Sequence, residues 1–207
     1  MNIKRQILAG ENVILDFKKT ITSFEKISKT LVAFSNNKGG RLLIGVEDDG
    51  KIKGVKSEEE ERYMITRAAH FFCRPQIEPI FTDVTVDDKT VVVVDIPESD
   101  TKPHYALGED NKWWVYVRIQ DKSVLASPII VEVLKKENRG ENVILQYTHK
   151  EQALLAFLDK NESISLEAFA KLIRVPRKLA SRILVNMILM GIVKAHTTEK
   201  SEIYRAV

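Results

Sequence analysis

A single cysteine, Cys73, leaves no partner for an internal disulfide and excludes a cysteine-rich metal site; it fits a reducing cytoplasm. Long apolar runs are also missing. The longest, ILVNMILMGIV at 183–193, is too short and too interrupted to span a bilayer, so no membrane association is expected. The opening MNIKRQILAGENVIL carries basic residues but no apolar h-region, so no signal peptide is expected either. His70, His104, His149 and His196 are scattered without metal-ligand spacing. No G-x-x-x-x-G-K-[ST] loop occurs, so no nucleotide cofactor is expected. With only nine glycines and six prolines among 207 residues, what remains is ordinary globular composition, long enough for one large domain and a small one.

Acidic charge is the scarce quantity in the last third. Residues 1–140 hold 22 Lys+Arg and 22 Asp+Glu, whereas residues 141–207 hold 10 and 7, so the net charge of +3 lies there. No Asp or Glu occurs from Ala168 to His196, a stretch holding Lys171, Arg174, Arg177, Lys178, Arg182 and Lys194. Phosphate contacts are local, so this stripe matters more than the overall charge.

Along the chain, strand and helix patterns alternate up to about residue 138. NVILDFK reads as a strand with Val13, Leu15 and Phe17 on one face and Ile14, Asp16 and Lys18 on the other. Phe24, Ile27, Leu31 and Phe34 recur at helical spacing and are closed by NNKGG. RLLIGVE suits a strand covered on both faces, and Asp49-Gly50 suits a tight turn after it. A helix over 58–73, strands IEPIFTDVTV, KTVVVVDIP and WWVYVRIQ, and a closing helix at 128–136 complete an α+β domain with a mixed sheet, residues 1–138. One of Trp113 and Trp114 is expected in the core, since their faces alternate. Residues 139–147 read as a linker.

Residues 148–207 have a different grammar. Thr148 to Glu151 fits a capping box. SLEAFAKLI is a second short helix, and a third runs from Pro176 to Gly191 with Leu179, Ile183, Leu184, Met187 and Ile188 as its buried stripe. The alternation after Gly191 suits a β-hairpin. Three helices and a hairpin describe a winged helix-turn-helix. Arg177, Lys178, Ser181 and Arg182 share the face opposite the stripe, near the helix start, where a recognition helix meets DNA; Lys171, Arg174 and Lys194 would assist at phosphates. A DNA-binding transcriptional regulator is the expectation, with homodimerisation doubling the few contacts of one module. The same face would also serve structured RNA, or a protein partner.

The first copy of GENVIL leads into Asp16-Phe17-Lys18. Together with Ala33-Phe34-Ser35-Asn36 and Gly39-Gly40-Arg41-Leu42-Leu43-Ile44-Gly45-Val46-Glu47-Asp48, this resembles the Schlafen AlbA-type domain family. Lys102-Pro103-His104-Tyr105, Tyr116-Val117-Arg118 and Ala126-Ser127 resemble its later blocks. The family's pattern, E-x4-E-F-K followed by A-F-x-N-x-x-G-G-x-L-x-I-G-V-x-D, implies a DNA-binding or regulatory role, often with a helix-turn-helix after it. For some members it implies instead a metal-dependent endoribonuclease with three carboxylates. Carried over, these are Glu11, Asp16 and Asp48, with Lys18 beside them to neutralise phosphate and Mg²⁺ or Mn²⁺ as the ion. Position 16 departs from the pattern, being Asp where the family has Glu. Asp48 also precedes Gly50 as an ordinary turn residue would. The second GENVIL, at 140–145, continues as QYTHK and lacks the later block, so its six-residue identity is coincidence.

Overall fold

The computed structural model describes residues 3–140, 147–198 and 201–207. Two compact units divide between Leu125 and Ala126. Residues 141–146, the middle of the expected linker and most of the second GENVIL, lie outside the described residues.

The first unit begins with α1 (Ile3–Ala9), β1 (Leu15–Lys18), α2 (Phe24–Asn36) and β2 (Gly40–Ile44). It continues through α3 (Glu58–Phe71), β3 (Cys73–Arg74), β4 (Ile80–Val86) and β5 (Lys89–Ile96). Four strands form one sheet in the order β1-β2-β5-β4, with β1 and β2 parallel and the other pairs antiparallel. This is the expected mixed sheet. Both faces are covered, which is why β2 and β5 are so largely apolar. Leu42, Ile44, Val92, Val94 and Ile96 pack with Leu31 and Phe34 of α2 and Ile65 and Ala68 of α3. Leu43, Val91 and Val93 turn the other way, joining Leu15 and Phe17 and the α1 residue Ile3. Each such side chain, fully buried, contributes roughly 1.5–3 kcal/mol.

Two local readings of this region need correction. Helix α1 escaped the sequence pattern because seven residues carry only one inward pair, Ile3 and Ile7, too few to establish a period. The strand over NVILDFK begins only at Leu15. Asn12 makes the preceding residues a turn: its side-chain oxygen accepts from Ile14 N at 3.0 Å, and its backbone N–H donates to Leu15 O at 2.9 Å. Val13 and Ile14 are consequently exposed rather than facing opposite sides of a sheet.

The rest of the unit is β6 (Tyr105–Leu107), β7 (Trp113–Trp114), β8 (Tyr116–Ile119) and β9 (Lys122–Leu125). The single strand expected over WWVYVRIQ is split at Val115: β7 pairs with β6, and β8 with β9. Neither tryptophan is core. Trp113 is half-buried, and Trp114 is exposed with its indole N–H donating to Asp110 at 3.1 Å.

The second unit holds α4 (Pro128–Asn138), α5 (His149–Leu158), α6 (Leu166–Leu172), α7 (Arg177–Leu189), β10 (Val193–Thr197) and β11 (Glu202–Ala206). Helix α4, read from sequence as closing the first domain, belongs here. Its Ile129 and Val133 are buried with Leu184 and Met187 of α7, and Lys136 Nζ donates to Asn186 Oδ1 at 3.2 Å. An amphipathic stripe shows that a helix must bury a face but not which neighbour covers it. The Thr148–Glu151 capping box is formed. Helices α5 to α7 followed by the β10–β11 hairpin give the expected winged-helix order. Tyr204 of β11 is buried with Leu154, Phe169 and Leu184.

Candidate functional site

Asp16 occupies the one polar position of β1 that alternation turns away from Leu15 and Phe17 and that the fold also buries. It is 4% exposed, so its charge requires partners. Lys18 Nζ donates to Oδ1 at 2.8 Å and also to Phe17 O at 2.6 Å. Arg118 of β8 donates from Nη1 to Oδ2 at 3.2 Å. Arg118 is equally buried. Its Nη2 donates to Asn12 O at 2.9 Å, its Nη1 reaches Ser123 Oγ at 3.3 Å, and its guanidinium lies 4.8 Å from the Phe34 ring centroid. One arginine thus joins β1, β8, the Asn12 turn and α2.

The A-F-x-N-x-x-G-G block is the frame around that arginine. Phe34 lies under Arg118 and also against Gly40, where any Cβ would fall 2.2 Å from its ring. Gly39 has φ +72° and backs onto Ile96 O, so a side chain is excluded twice over. Asn36, fully buried, donates to His104 O at 3.0 Å and Tyr116 O at 2.9 Å while accepting from His104 N at 2.7 Å. Asn37 pairs with the backbone of Arg118 in both directions. His104 is buried between Pro75 O and Ser99 Oγ, and burial pushes its pKa down. These contacts make it a neutral structural histidine.

Glu11 meets Asp16 from the turn. Its Oε1 accepts from Phe17 N at 2.7 Å. Burial first, and a hydrogen bond with Asp16 second, raise the Glu11 pKa to about 7. Burial works against the Asp16 charge, but the Glu11 hydrogen bond and the Lys18 and Arg118 charges prevail and hold its pKa below the usual value. The proton therefore resides on Glu11, and Asp16 is the anion. Asp48 is not part of this pair: it is exposed in the turn before Gly50. Among the described residues no three His, Cys, Asp or Glu are grouped so as to hold a metal ion. As placed, the set does not fit the three-carboxylate divalent-ion site that the resemblance implies. Both Asp16 oxygens are already engaged by cations. Arg118, which anchors the pair, was not among the candidates; its only signal was its place in the Tyr116-Val117-Arg118 block.

In the second unit, α7 has its cations on the outside. Arg177, Lys178 and Arg182 are directed away from the core and Ser181 lies beside them, opposite Ala180, Ile183, Leu184 and Met187. Lys171, Arg174 and Lys194 also lie outside the core. Among the described residues, Lys171, Arg174, Lys178, Arg182 and Lys194 make no ion pair; Arg177 pairs directly with Glu167 at 2.9 Å, both side chains exposed. The helix begins at Pro176 with no side-chain cap and no acidic residue in its first turn. Its free N–H groups and the positive end of its dipole face the same region as the cations, an arrangement costly for a helix alone and suited to an anion. Arg174 takes φ +52° in the short turn from α6, and Lys194 stands opposite Arg205 across the hairpin.

Residues 11–127 match the family model described as Schlafen, AlbA_2, and residues 138–204 match the one described as PCI domain. Among solved structures, the chain is similar to the DIP2311 protein from Corynebacterium diphtheriae: 16% identity, 72% of this chain and 29% of that chain covered, TM-score 0.46. It is also similar to the N-terminal domain of a putative ATP-dependent DNA helicase RecG-related protein from Nitrosomonas europaea: 20% identity, 72% of this chain and 95% of that chain covered, TM-score 0.48. The chain therefore spans under a third of the first of these proteins. No helix among the described residues is long and apolar enough to cross a membrane.

Proposed function

The chain belongs to the Schlafen AlbA_2 family, and from that premise we propose that it binds nucleic acid, more narrowly duplex DNA through α7 as a transcriptional regulator. The pairing of this domain with a winged-helix-type one supports nucleic-acid binding. The observation that carries the narrower reading is the uncapped N-terminus of α7, ringed by outward cations with almost no carboxylate to neutralise them. Arg177, Lys178, Ser181 and Arg182 are the residues proposed to enter the groove, and Lys171, Arg174 and Lys194 those at phosphates. A homodimer presenting two such helices would raise affinity by doubling the contacts.

The test is the salt dependence of binding to duplex DNA. Replacing Arg177, Lys178 and Arg182 with Ala should weaken binding and flatten the slope of log K against log salt, by about 0.9 for each phosphate no longer neutralised. An unchanged slope would remove α7 from the interface. In this reading the Glu11–Asp16–Arg118 network is scaffold.

A further inference from the structure

We propose that the exposed face of α3, continued through Arg74 and Trp113, is a stacking platform for unpaired nucleotides. Tyr63, Arg67 and Phe71 stand at i, i+4 and i+8, one face of the helix, with about 6 Å of rise between neighbours. Tyr63 is 56% and Phe71 66% exposed. Arg67 lies between them, its guanidinium 5.9 Å from the Tyr63 ring and 5.5 Å from the Phe71 ring, with Nη1 donating to Tyr63 Oη at 3.1 Å. The Phe24 ring, itself stacked on Phe72, closes the third side at 5.7 Å. Three residues past Phe71 the pattern repeats: the Arg74 guanidinium sits 4.8 Å from the Trp113 ring.

The charges on this face select the occupant. Elsewhere on α3, carboxylates are close at hand: Arg62 reaches Asp83 at 2.7 Å, and the His70 ring lies 3.3 Å from Glu78. Arg67 and Arg74 have rings instead, and among the described residues neither pairs with a carboxylate. An apolar partner covering this face would bury two unpaired guanidinium groups, which is strongly unfavourable. A single strand brings a π-face and a phosphate with every nucleotide, satisfying rings and cations together. The acidic first turn of α3, Glu58 to Glu60, sets the direction: the strand runs from Tyr63 away from it, toward Arg74.

This platform is in the first unit and goes beyond the duplex-binding reading of α7; it stands or falls separately. The experiment uses the full chain with fluorescein-labelled oligothymidylate and oligouridylate, read by anisotropy. DNA and RNA share the chemistry, and the two probes tell which source is preferred. Removing both rings (Tyr63→Ala with Phe71→Ala) should weaken binding of the preferred oligomer at least about 5-fold per ring. Tyr63→Trp with Phe71→Trp should retain it, since any π-face serves. The α7 triple variant should keep most of its single-strand affinity while its duplex affinity falls. The proposal is overturned if neither oligomer binds, or if the double alanine variant binds like wild type. It is equally overturned if the α7 variant alone abolishes single-strand binding. Were the double alanine variant to change the sedimentation coefficient and not oligomer binding, the face would be an interface between copies of this chain.

Discussion

Arg118 and Arg182 are the same residue type on two elements, and they do opposite things. In the first unit the guanidinium is buried and held by a carboxylate, a carbonyl, a hydroxyl and a ring. In the second unit it is turned outward and makes no ion pair among the described residues. Burial decides what a charge is for. Removed from water, a cation is stable only if its neighbours supply what water did, so it locks those neighbours in place. Left in water, it is screened and free to meet a phosphate. Around Asp16 the first unit uses a cation inside as architecture, whereas α7 leaves its cations outside as an offer.

The sharpest way to break this contrast is to delete the buried arginine. Arg118→Leu leaves the buried Asp16 with Lys18 as its remaining cation and releases the Asn12 turn and β8. A loss of about 3–5 kcal/mol in chemical denaturation is expected, the usual consequence of orphaning a buried charge. Arg182→Leu, changed identically on α7, should stay within about 0.5 kcal/mol of wild type while weakening duplex binding. Similar stability costs at both positions would mean that the division between scaffold and interface is wrong.

How much of this was legible beforehand depended on whether a feature is local. The capping box at Thr148, the α7 stripe and the cationic face opposite it were readable because each is set by neighbours close along one helix. The G-G pair was readable as a turn, but its second reason, the Phe34 ring against Gly40, needed the fold. The arginine partner of Asp16 lies 102 positions away, and no spacing rule links them. Helix α4 failed for the same reason: its amphipathic pattern was visible, but which core would take Ile129 and Val133 was not. The α3 platform was hidden by its own composition, since EEEERYMITRAAHF reads as an ordinary charged helix until the exposure of Tyr63 and Phe71 is known.

Glu11, the titrating group of the buried network, gives the contrast a pH dependence. It keeps its proton up to about pH 7 in the folded chain, against an ordinary value of 4.5. A raised carboxyl pKa gives stability that is fully present below the unfolded value and lost as pH rises through the folded one. The Glu11 contribution to stability should therefore decline between about pH 4.5 and pH 7, by about 1 kcal/mol once solvent screening of this half-buried group is discounted. Asp16 stays ionised across that window and contributes no slope there. Glu11→Gln keeps a hydrogen-bond donor and removes the titration, so the stability of wild type relative to this variant should decline over the same range, the opposing rise from the buried His104 being common to both. A difference between the two that does not change with pH would place the titrating group elsewhere.

The smallest expected effect falls on the exposed side and separates stability from binding most cleanly. Arg177 and Glu167 lie 2.9 Å apart with side chains 71% and 57% exposed. Such a pair contributes about 0.2–1 kcal/mol at most, because water screens it and both side chains lose freedom in making it. Glu167→Gln should therefore shift the thermal midpoint by no more than about four degrees. The same change removes the carboxylate that competes with phosphate for Arg177, so duplex affinity should rise modestly at low salt and the gain should vanish as salt increases. A fall in affinity would show that Glu167 orients Arg177 toward DNA rather than competing for it, making the pair part of the interface.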